Sequence, residues 1–285
     1  MKFVRYGRKG QEQPGLLDTQ GRLRCLGGVV GEIDASVFGP AGQRALRGID
    51  ANALPLVTGK PRLGVPFVGI SKFIGIGLNY RDHANEAGMA IPASPIVFNK
   101  WTTCIIGPNY PVLRPQGAHK LDWEVELGVL IGRETRFVRE ADALKSIAGY
   151  CLINDVSERA YQLEQGSQWT LGKGCDTFGP IGPWLVSADE IADPQNIDLW
   201  LDVNGERMQQ GNTRDMIFDV SYLVAFLSRF MTLLPGDVIA TGTPPGVGMG
   251  RTPPRYLQPG DVVTLGSPQL GVQRQEIRNA PQRPR

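Results

Sequence analysis

The stretch that decides the fold runs Asp122-Trp123-Glu124-Val125-Glu126-Leu127-Gly128-Val129-Leu130-Ile131-Gly132. Side chains on a strand alternate between faces. Trp123, Val125, Leu127 and Val129 therefore share one side, and Glu124, Glu126 and Gly128 the other. The first face reads as core. The strand continues as Val129-Leu130-Ile131, apolar on both faces, which marks it as interior. Two carboxylates about 7 Å apart on a buried face repel, and are costly unless a cation compensates them. A hard divalent ion held by oxygens does so. A solvated acidic face is the competing reading.

Moving outward, EADALKSIAGYCLINDVS reads as a helix, a strand and a loop at Asn154-Asp155. Asp155 could supply a third oxygen ligand. Asp155-Val156-Ser157-Glu158 also has the form of a capping box opening a helix over SERAYQLEQ, and spacing alone favours that cap. Oxygen ligands without a Cys or His cluster favour Mg²⁺, Mn²⁺ or Ca²⁺ over zinc. Upstream, Phe73-Ile74-Gly75-Ile76-Gly77 is a short strand, and RDHANEAG is a short helix ended by Gly88. On that helix His83 and Glu86 fall at i and i+3. A carboxylate so placed fixes the imidazole tautomer and raises its basicity, as a water-activating base requires. A surface pair is the alternative. Gly75, Gly77 and Gly88 would let the segment move as a lid. His119 sits in a polar loop and reads as exposed.

Lys173, in Leu171-Gly172-Lys173-Gly174-Cys175, has glycines on both sides that leave room for a ligand; a solvated loop lysine is the other reading. Nothing nearby activates Cys175, so it reads as inert. Thr241-Gly242-Thr243-Pro244-Pro245-Gly246 could offer backbone N–H groups and a hydroxyl to an anion. Gly246-Val247-Gly248-Met249-Gly250 has the wrong spacing for a dinucleotide turn, with Pro253-Pro254 where a helix should begin. Neither a GxSxG elbow nor a GxxxxGK[ST] phosphate loop occurs.

The 36 Gly and 22 Pro separate short runs rich in Val, Ile and Leu, so the expected class is β-rich α+β with few helices. Residues 1–70 read as a small N-terminal α+β domain, 71–275 as the catalytic domain and 276–285 as a flexible tail. DPQNIDLWLDVNGERMQQGN is a hairpin turning at Asn204-Gly205. DMIFDVSYLVAFLSRFMTL is an amphipathic helix with Ile217, Val220, Leu223, Val224, Leu227 and Phe230 on one face. LLPGDVIATGTP and LQPGDVVTLGS are two Pro-Gly-Asp turns feeding strands that could pair. Thirty basic side chains against 28 acidic ones give no field that points to nucleic acid or an anionic membrane. Four cysteines without a CxxC pair fit reduced thiols in a cytosol. No signal-peptide core or membrane span is expected, so the expected location is cytoplasmic.

Together GIGLNYRDHANEAG, VFNKWTTCIIGP, DWEVELGVLIG, GYCLINDVSER, LGKGCDTFGPIGP, VNGERMQQGNT and PGDVIATGTPPGVG resemble the fumarylacetoacetate hydrolase family, in consistent order over about residues 70–265. The first 70 residues resemble the small accessory domain of bacterial members. The resemblance implies a β-roll of mixed sheets wrapped into a flattened barrel with flanking helices, in a homodimer. It implies that Glu124, Glu126 and Asp155 hold Mg²⁺, Mn²⁺ or Ca²⁺. It makes Lys173 a ligand of substrate oxygens beside the metal, and His83 and Glu86 the water-activating pair on a lid. Lys100, Gln162 and Thr243 match substrate-contacting positions. Leu78 departs from relatives that carry a basic residue there, which breaks any simple transfer of their substrate preference. The implied reaction is hydrolysis of the C–C bond of a 2,4-dioxo acid to pyruvate and a carboxylic acid. The polar lid residues Asn79, Arg81 and Asn85 would suit a hydroxylated tail, as in a 2,4-diketo-3-deoxy sugar acid such as the rhamnonate or fuconate. Oxaloacetate decarboxylation, isomerisation or hydration of a 2-oxo-diene acid, and a non-catalytic binding protein are the rivals.

Overall fold

The computed structural model describes residues 1–46, 48–86 and 88–281. The chain opens with an antiparallel meander, β1 (Lys2–Tyr6), β2 (Gln13–Leu17) and β3 (Leu23–Cys25), then short helices α1 (Ala35–Phe38) and α2 (Pro40–Leu46). After an extended connector come β4 (Phe73–Gly77), α3 (Arg81–Glu86), β5 (Ile96–Lys100), β6 (Ile105–Ile106), β7 (Val112–Arg114), β8 (Leu121–Asp122) and β9 (Val125–Ile131). Next are α4 (Glu140–Ala143), β10 (Ile147–Asn154), β11 (Ser157–Glu158), α5 (Arg159–Leu163), α6 (Thr170–Lys173) and β12 (Gly179–Ser187). The hairpin β13 (Asp198–Val203) and β14 (Glu206–Asn212) leads to α7 (Val220–Phe230), and β15 (Val238–Ala240), β16 (Val262–Ser267) and β17 (Gly271–Asn279) complete the fold.

The strands form a ten-stranded mixed sheet ordered β3-β2-β1-β12-β10-β9-β15-β4-β5, with β6 beside β12. A five-stranded sheet, β14-β13-β16-β17-β7, and the small β11-β8 pair accompany it. The architecture is thus the strand-rich, mixed α+β class that the sequence calls for. Each large sheet is an open path and not a closed barrel among the described residues. No helix in them is long and apolar enough to cross a membrane.

β9 has no solvent face: all its residues are buried. It lies between β10 and β15, antiparallel to both, and β15 runs parallel to β4. This register has one consequence for function. The start of β9 meets the ends of β10, β15 and β4, so the loops that follow those three strands converge on Glu124 and Glu126. Asn154 pairs with Val125, and on the next rung Asp155 N–H donates to the Glu124 carbonyl at 2.9 Å.

The first 70 residues are continuous with the main sheet. β1 pairs with β12 through Lys2–Val186 and Phe3–Leu185. Phe3, Leu16, Leu26 and Ile33 belong to the same buried cluster as Leu127 and Val129. The expected tail is shorter at its start: residues 276–279 finish β17, because Ile277 pairs with Val112 and is buried. The rest of that tail, from 282, lies outside the described residues. The hairpin turns at Asn204-Gly205, with φ of 54° and 82°, as its Asn-Gly pair requires. On α7, capped by Asp219, Val220, Leu223, Val224 and Leu227 are buried as expected. Phe230 is not; it is 70% exposed at the last turn, and Ile217 precedes the helix. Asp237 and Asp261 close their Pro-Gly-Asp turns alike, accepting from Leu234 N–H at 2.6 Å and Gln258 N–H at 2.7 Å. The strands they feed lie in different sheets and do not pair.

Because Phe3 is 2% exposed in the shared core, Phe3→Ala should destabilise the whole chain by about 3–5 kcal/mol. In urea the variant should keep a single transition, with fluorescence and circular dichroism coincident, and no early step confined to residues 1–70.

Candidate active site

Glu124, Glu126 and Asp155 offer one oxygen each within 4.8 Å of one another, all buried. Spacing alone favoured Asp155 as a helix cap, and the structure corrects this. The cap of α5 is Glu158, whose carboxylate accepts from Ala160 N–H. β11 intervenes, and the Asp155 carboxylate turns inward to Lys100 Nζ at 2.5 Å and Lys173 Nζ at 2.8 Å. Lys173 also reaches Glu124 Oε2 at 2.6 Å.

Lys173 is neither a loop residue nor solvated: it ends α6 and is 2% exposed. The glycines beside it serve the chain. A Cβ on Gly172 would lie 2.5 Å from Gln162 N, so that glycine lets α6 pack on α5, and Gly174 accommodates the Trp101 ring. Lys100, expected against substrate, stands behind the cluster instead. Its ammonium is committed to Asp155 and the Lys173 carbonyl. It is absent from the residues that line the cleft.

Two buried groups that the sequence reading missed complete the charge pattern. Arg159 Nε donates to Asp122 Oδ2 at 2.8 Å and Nη1 to Gln162 Oε1 at 3.0 Å. Its Nη2 is 2.7 Å from Glu124 Oε1 but off the hydrogen-bond direction, and is otherwise unpartnered. Asp122 also accepts from Gly248 N–H at 2.7 Å and Met249 N–H at 3.0 Å. The signal for Arg159 was there to read: it stands four residues after Asp155 and three before Gln162, on the same face of one helix turn.

Around the cluster Asp122, Glu124, Glu126 and Asp155 thus face Lys100, Lys173 and Arg159. Burial alone would raise the Glu124 carboxyl, but Lys173 and Arg159 outweigh it and hold it at about 2. Glu126 goes the other way: burial, then Asp155 and Glu124, push it well up. Among the described residues Glu126 has no ion-pair partner, and its Oε2 accepts Gly242 N–H at 2.8 Å. One carboxylate more than the local cations balance, in an all-oxygen set at this spacing, fits a hard divalent ion. The three carboxylates would hold it, and Lys173 stands beside it.

His83 is 5% exposed on α3, with Nδ1 3.4 Å from Glu86 Oε2. Glu86 in turn accepts from Gly246 N–H at 3.1 and 3.0 Å. The loop after β15 does offer backbone N–H groups to anions, and the anions are this chain's own Glu126 and Glu86. His83, Glu124, Glu126, Gln162, Lys173 and Thr243 all line one cleft, together with Arg159. Thr243 Oγ1 donates to the Val125 carbonyl and accepts from Gln209 Nε2 at 2.8 Å. Gln209 Oε1 accepts from Val125 N–H at 2.9 Å, and so ties the start of β9 to the loop after β15. His119 is exposed, as expected. Burial pushes the Cys175 thiol up to about 11, which disfavours the thiolate.

The polar lid reading does not hold for Asn79. Its amide bonds Phe218 and Thr241 carbonyls at 2.9 and 2.7 Å and accepts Phe218 N–H at 2.8 Å. Arg81 lines a different cleft with Tyr80 and Asp215, and the side chain of Asn85 lies outside the described residues.

Residues 72–278 match the family model described as "Fumarylacetoacetate (FAA) hydrolase C-terminal". A Burkholderia orbicola protein, provisionally named a hydrolase, is 58% identical over 98% of this chain and all of its own length. The fumarylacetoacetate hydrolase of Exiguobacterium antarcticum superposes with a TM-score of 0.88 at 34% identity, covering 98% of this chain and 100% of that one. The 2-hydroxyhepta-2,4-diene-1,7-dioate isomerase of Mycobacterium marinum gives 0.77 at 32%, covering 99% and 100%. The maleylpyruvate hydrolase of Sphingobium sp. SYK-6, solved with manganese(II) and pyruvate, gives 0.82 at 26%, covering 99% and 100%.

The Glu86 carboxyl is held below its ordinary 4.5; burial opposes this, and the His83 and Gly246 hydrogen bonds prevail. A folded-state value below the unfolded one stabilises fully above the unfolded value and is lost as pH falls through the folded value. Glu86→Gln should therefore be less stable than the parent by about 1–2 kcal/mol near neutral pH. The gap should close as urea midpoints are followed downward from about pH 4.5, the ordinary value.

Proposed function

The chain belongs to the fumarylacetoacetate hydrolase family, whose scaffold carries hydrolases and isomerases, and from that premise we propose that it hydrolyses the C–C bond of a 2,4-dioxo acid to pyruvate and a carboxylic acid. The observation that carries the reading is that Glu124, Glu126 and His83 line one cleft, with Asp155 clustered with the two glutamates and Glu86 paired to His83. Mg²⁺ or Mn²⁺ held by those carboxylates, with Ca²⁺ a third candidate, would supply Lewis-acid polarisation of the substrate's carboxylate and 2-oxo oxygens. A manganese ion and pyruvate together in the Sphingobium enzyme support this assignment.

The chain's own groups do the rest. Glu86, fixed by Gly246 N–H, faces His83 Nδ1 and leaves Nε2 to take a proton from water. The hydroxide adds to the 4-oxo carbon, the C3–C4 bond breaks, and its electron pair passes to the pyruvate enolate. Lys173 and Arg159 place positive charge where that negative charge gathers, and Gln162 lines the same wall. Protonation at C3 gives pyruvate.

A second reading is favoured by the isomerase relative at 32% identity: the same base moves a proton along a 2-hydroxy-diene acid and no water is consumed. His83→Ala should lower hydrolytic kcat about 100- to 10,000-fold, followed as loss of dioxo-acid absorbance. EDTA should abolish turnover and Mn²⁺ restore it. Calorimetry should give one Mn²⁺ site in the parent chain and weakened binding in Glu126→Gln. Isomerised diene acid without pyruvate release would decide for the second reading.

The homodimer and cytoplasmic location expected from the sequence remain part of this proposal. Sedimentation equilibrium checks the first, and should return twice the chain mass of 31.1 kDa.

A further inference from the structure

The cleft divides by chemistry. Its polar residues are Glu124, Glu126 and five side chains beside them, His83, Arg159, Gln162, Lys173 and Thr243; Arg159 bonds Gln162 and Lys173 bonds Glu124. The remainder of the wall is apolar: Leu78, Met89, Phe98, Leu163, Trp169 and Met249, beside the Ile76-Gly77 backbone of β4. The Phe98 ring begins it, 5.1 Å from Lys173 Nζ, and the Trp169 ring follows at 5.6 Å from Phe98. Leu163 and Met89, 46% and 41% exposed, stand at the mouth. Two glycines let the rings lie on the strand. A Cβ on Gly75 would meet Phe98 Cζ at 2.2 Å, and one on Gly77 would meet Trp169 Cζ3 at 2.3 Å.

We propose that this wall is the subsite for the substrate's tail, and that the tail is an uncharged alkyl or aryl group, neither hydroxylated nor ended by a second carboxylate. The head-group assignment rests on the hydrolytic reading above; the tail assignment rests on the wall. A tail hydroxyl lying against Phe98, Leu78 and Leu163 would give up its bonds to water, and the Trp169 indole N–H is the one strong side-chain donor among the apolar residues of that wall. A tail carboxylate would find both basic side chains that line the cleft already faced by carboxylates: Lys173 Nζ lies 2.6 Å from Glu124 and 2.8 Å from Asp155, and Arg159 lies 2.8 Å from Asp122, with its Nη2 2.7 Å from Glu124. Leu78 adds another apolar group, 7% exposed. Each methylene buried on such a surface strengthens binding roughly fourfold.

The test uses the full chain loaded with Mn²⁺ and two 2-oxo acids that share a head and have no C–C bond of the scissile kind: 2-oxo-4-phenylbutanoate and 2-oxoglutarate. Calorimetry should show the phenyl acid binding at least ~10-fold more tightly. Trp169→Ala should shrink that gap. Leu163→Arg, at an exposed rim position that leaves packing intact, should turn the preference toward 2-oxoglutarate. Equal or tighter binding of 2-oxoglutarate by the parent chain, no binding of either acid, or an unchanged gap in Trp169→Ala would overturn the subsite. Turnover of phenyl-tailed against dihydroxy-tailed 2,4-dioxo acids is the second arm, and a preference for the hydroxylated tail there also overturns it. A phenyl preference in binding, with no dioxo acid turned over, supports the subsite and sinks the hydrolytic reading alone.

Discussion

Everything near the cleft depends on a balance of buried charge at the start of β9. Carboxylates removed from water are tolerable only when each is answered by a cation or a donor. Asp155 is answered by Lys100 and Lys173, Glu124 by Lys173 and Arg159, and Asp122 by Arg159 and three backbone N–H groups. Among the described residues Glu126 has the Gly242 N–H and no side-chain cation in an ion pair with it. That asymmetry is what distinguishes a binding site from a structural ion-pair network. A set in which every anion already had its lysine or arginine would have no use for a further positive ion.

The balance also reaches the base. Asp122 joins Arg159 to the backbone of Gly248 and Met249, and Gly246, two residues before, holds Glu86. Glu86 faces His83. Position is transmitted from Glu124 to the imidazole through five contacts, Glu124–Arg159, Arg159–Asp122, Asp122–Gly248, Gly246–Glu86 and Glu86–His83, over two loops that sheet register has already brought together. The expected lid is therefore tied at its glutamate to the same loop that anchors the cluster.

Much of this was legible in the sequence because alternation is a strong constraint. The period of two in Trp123-Glu124-Val125-Glu126-Leu127 places both glutamates on one side, and the unbroken apolar run after Val129 marks the strand as interior. The Asn204-Gly205 turn, the α7 core positions and the His83–Glu86 spacing are local and were equally readable. What failed was long-range. Asp155 has the local form of a cap, and only β10 pairing with β9 shows that its carboxylate is needed elsewhere. Glycines beside Lys173 make room for Gln162 and Trp101, partners that no local pattern names. Lys100 and Asn79 sit in motifs that resemble substrate-binding segments, yet their polar atoms are spent inside the fold. Two identical Pro-Gly-Asp turns gave no information about which sheet each strand would join.

The two halves of the cleft are built on different kinds of support. The carboxylates sit at the ends of strands buried on both faces, where a change of one residue disturbs packing, charge and register at once. Leu163 and Trp169 flank a stretch, 164–168, that is exposed throughout. Insertions or exchanges there would cost little stability. Transplanting that short surface segment between relatives is thus a practical route to retargeting the enzyme, since the diet can change while the chemistry stays where it is.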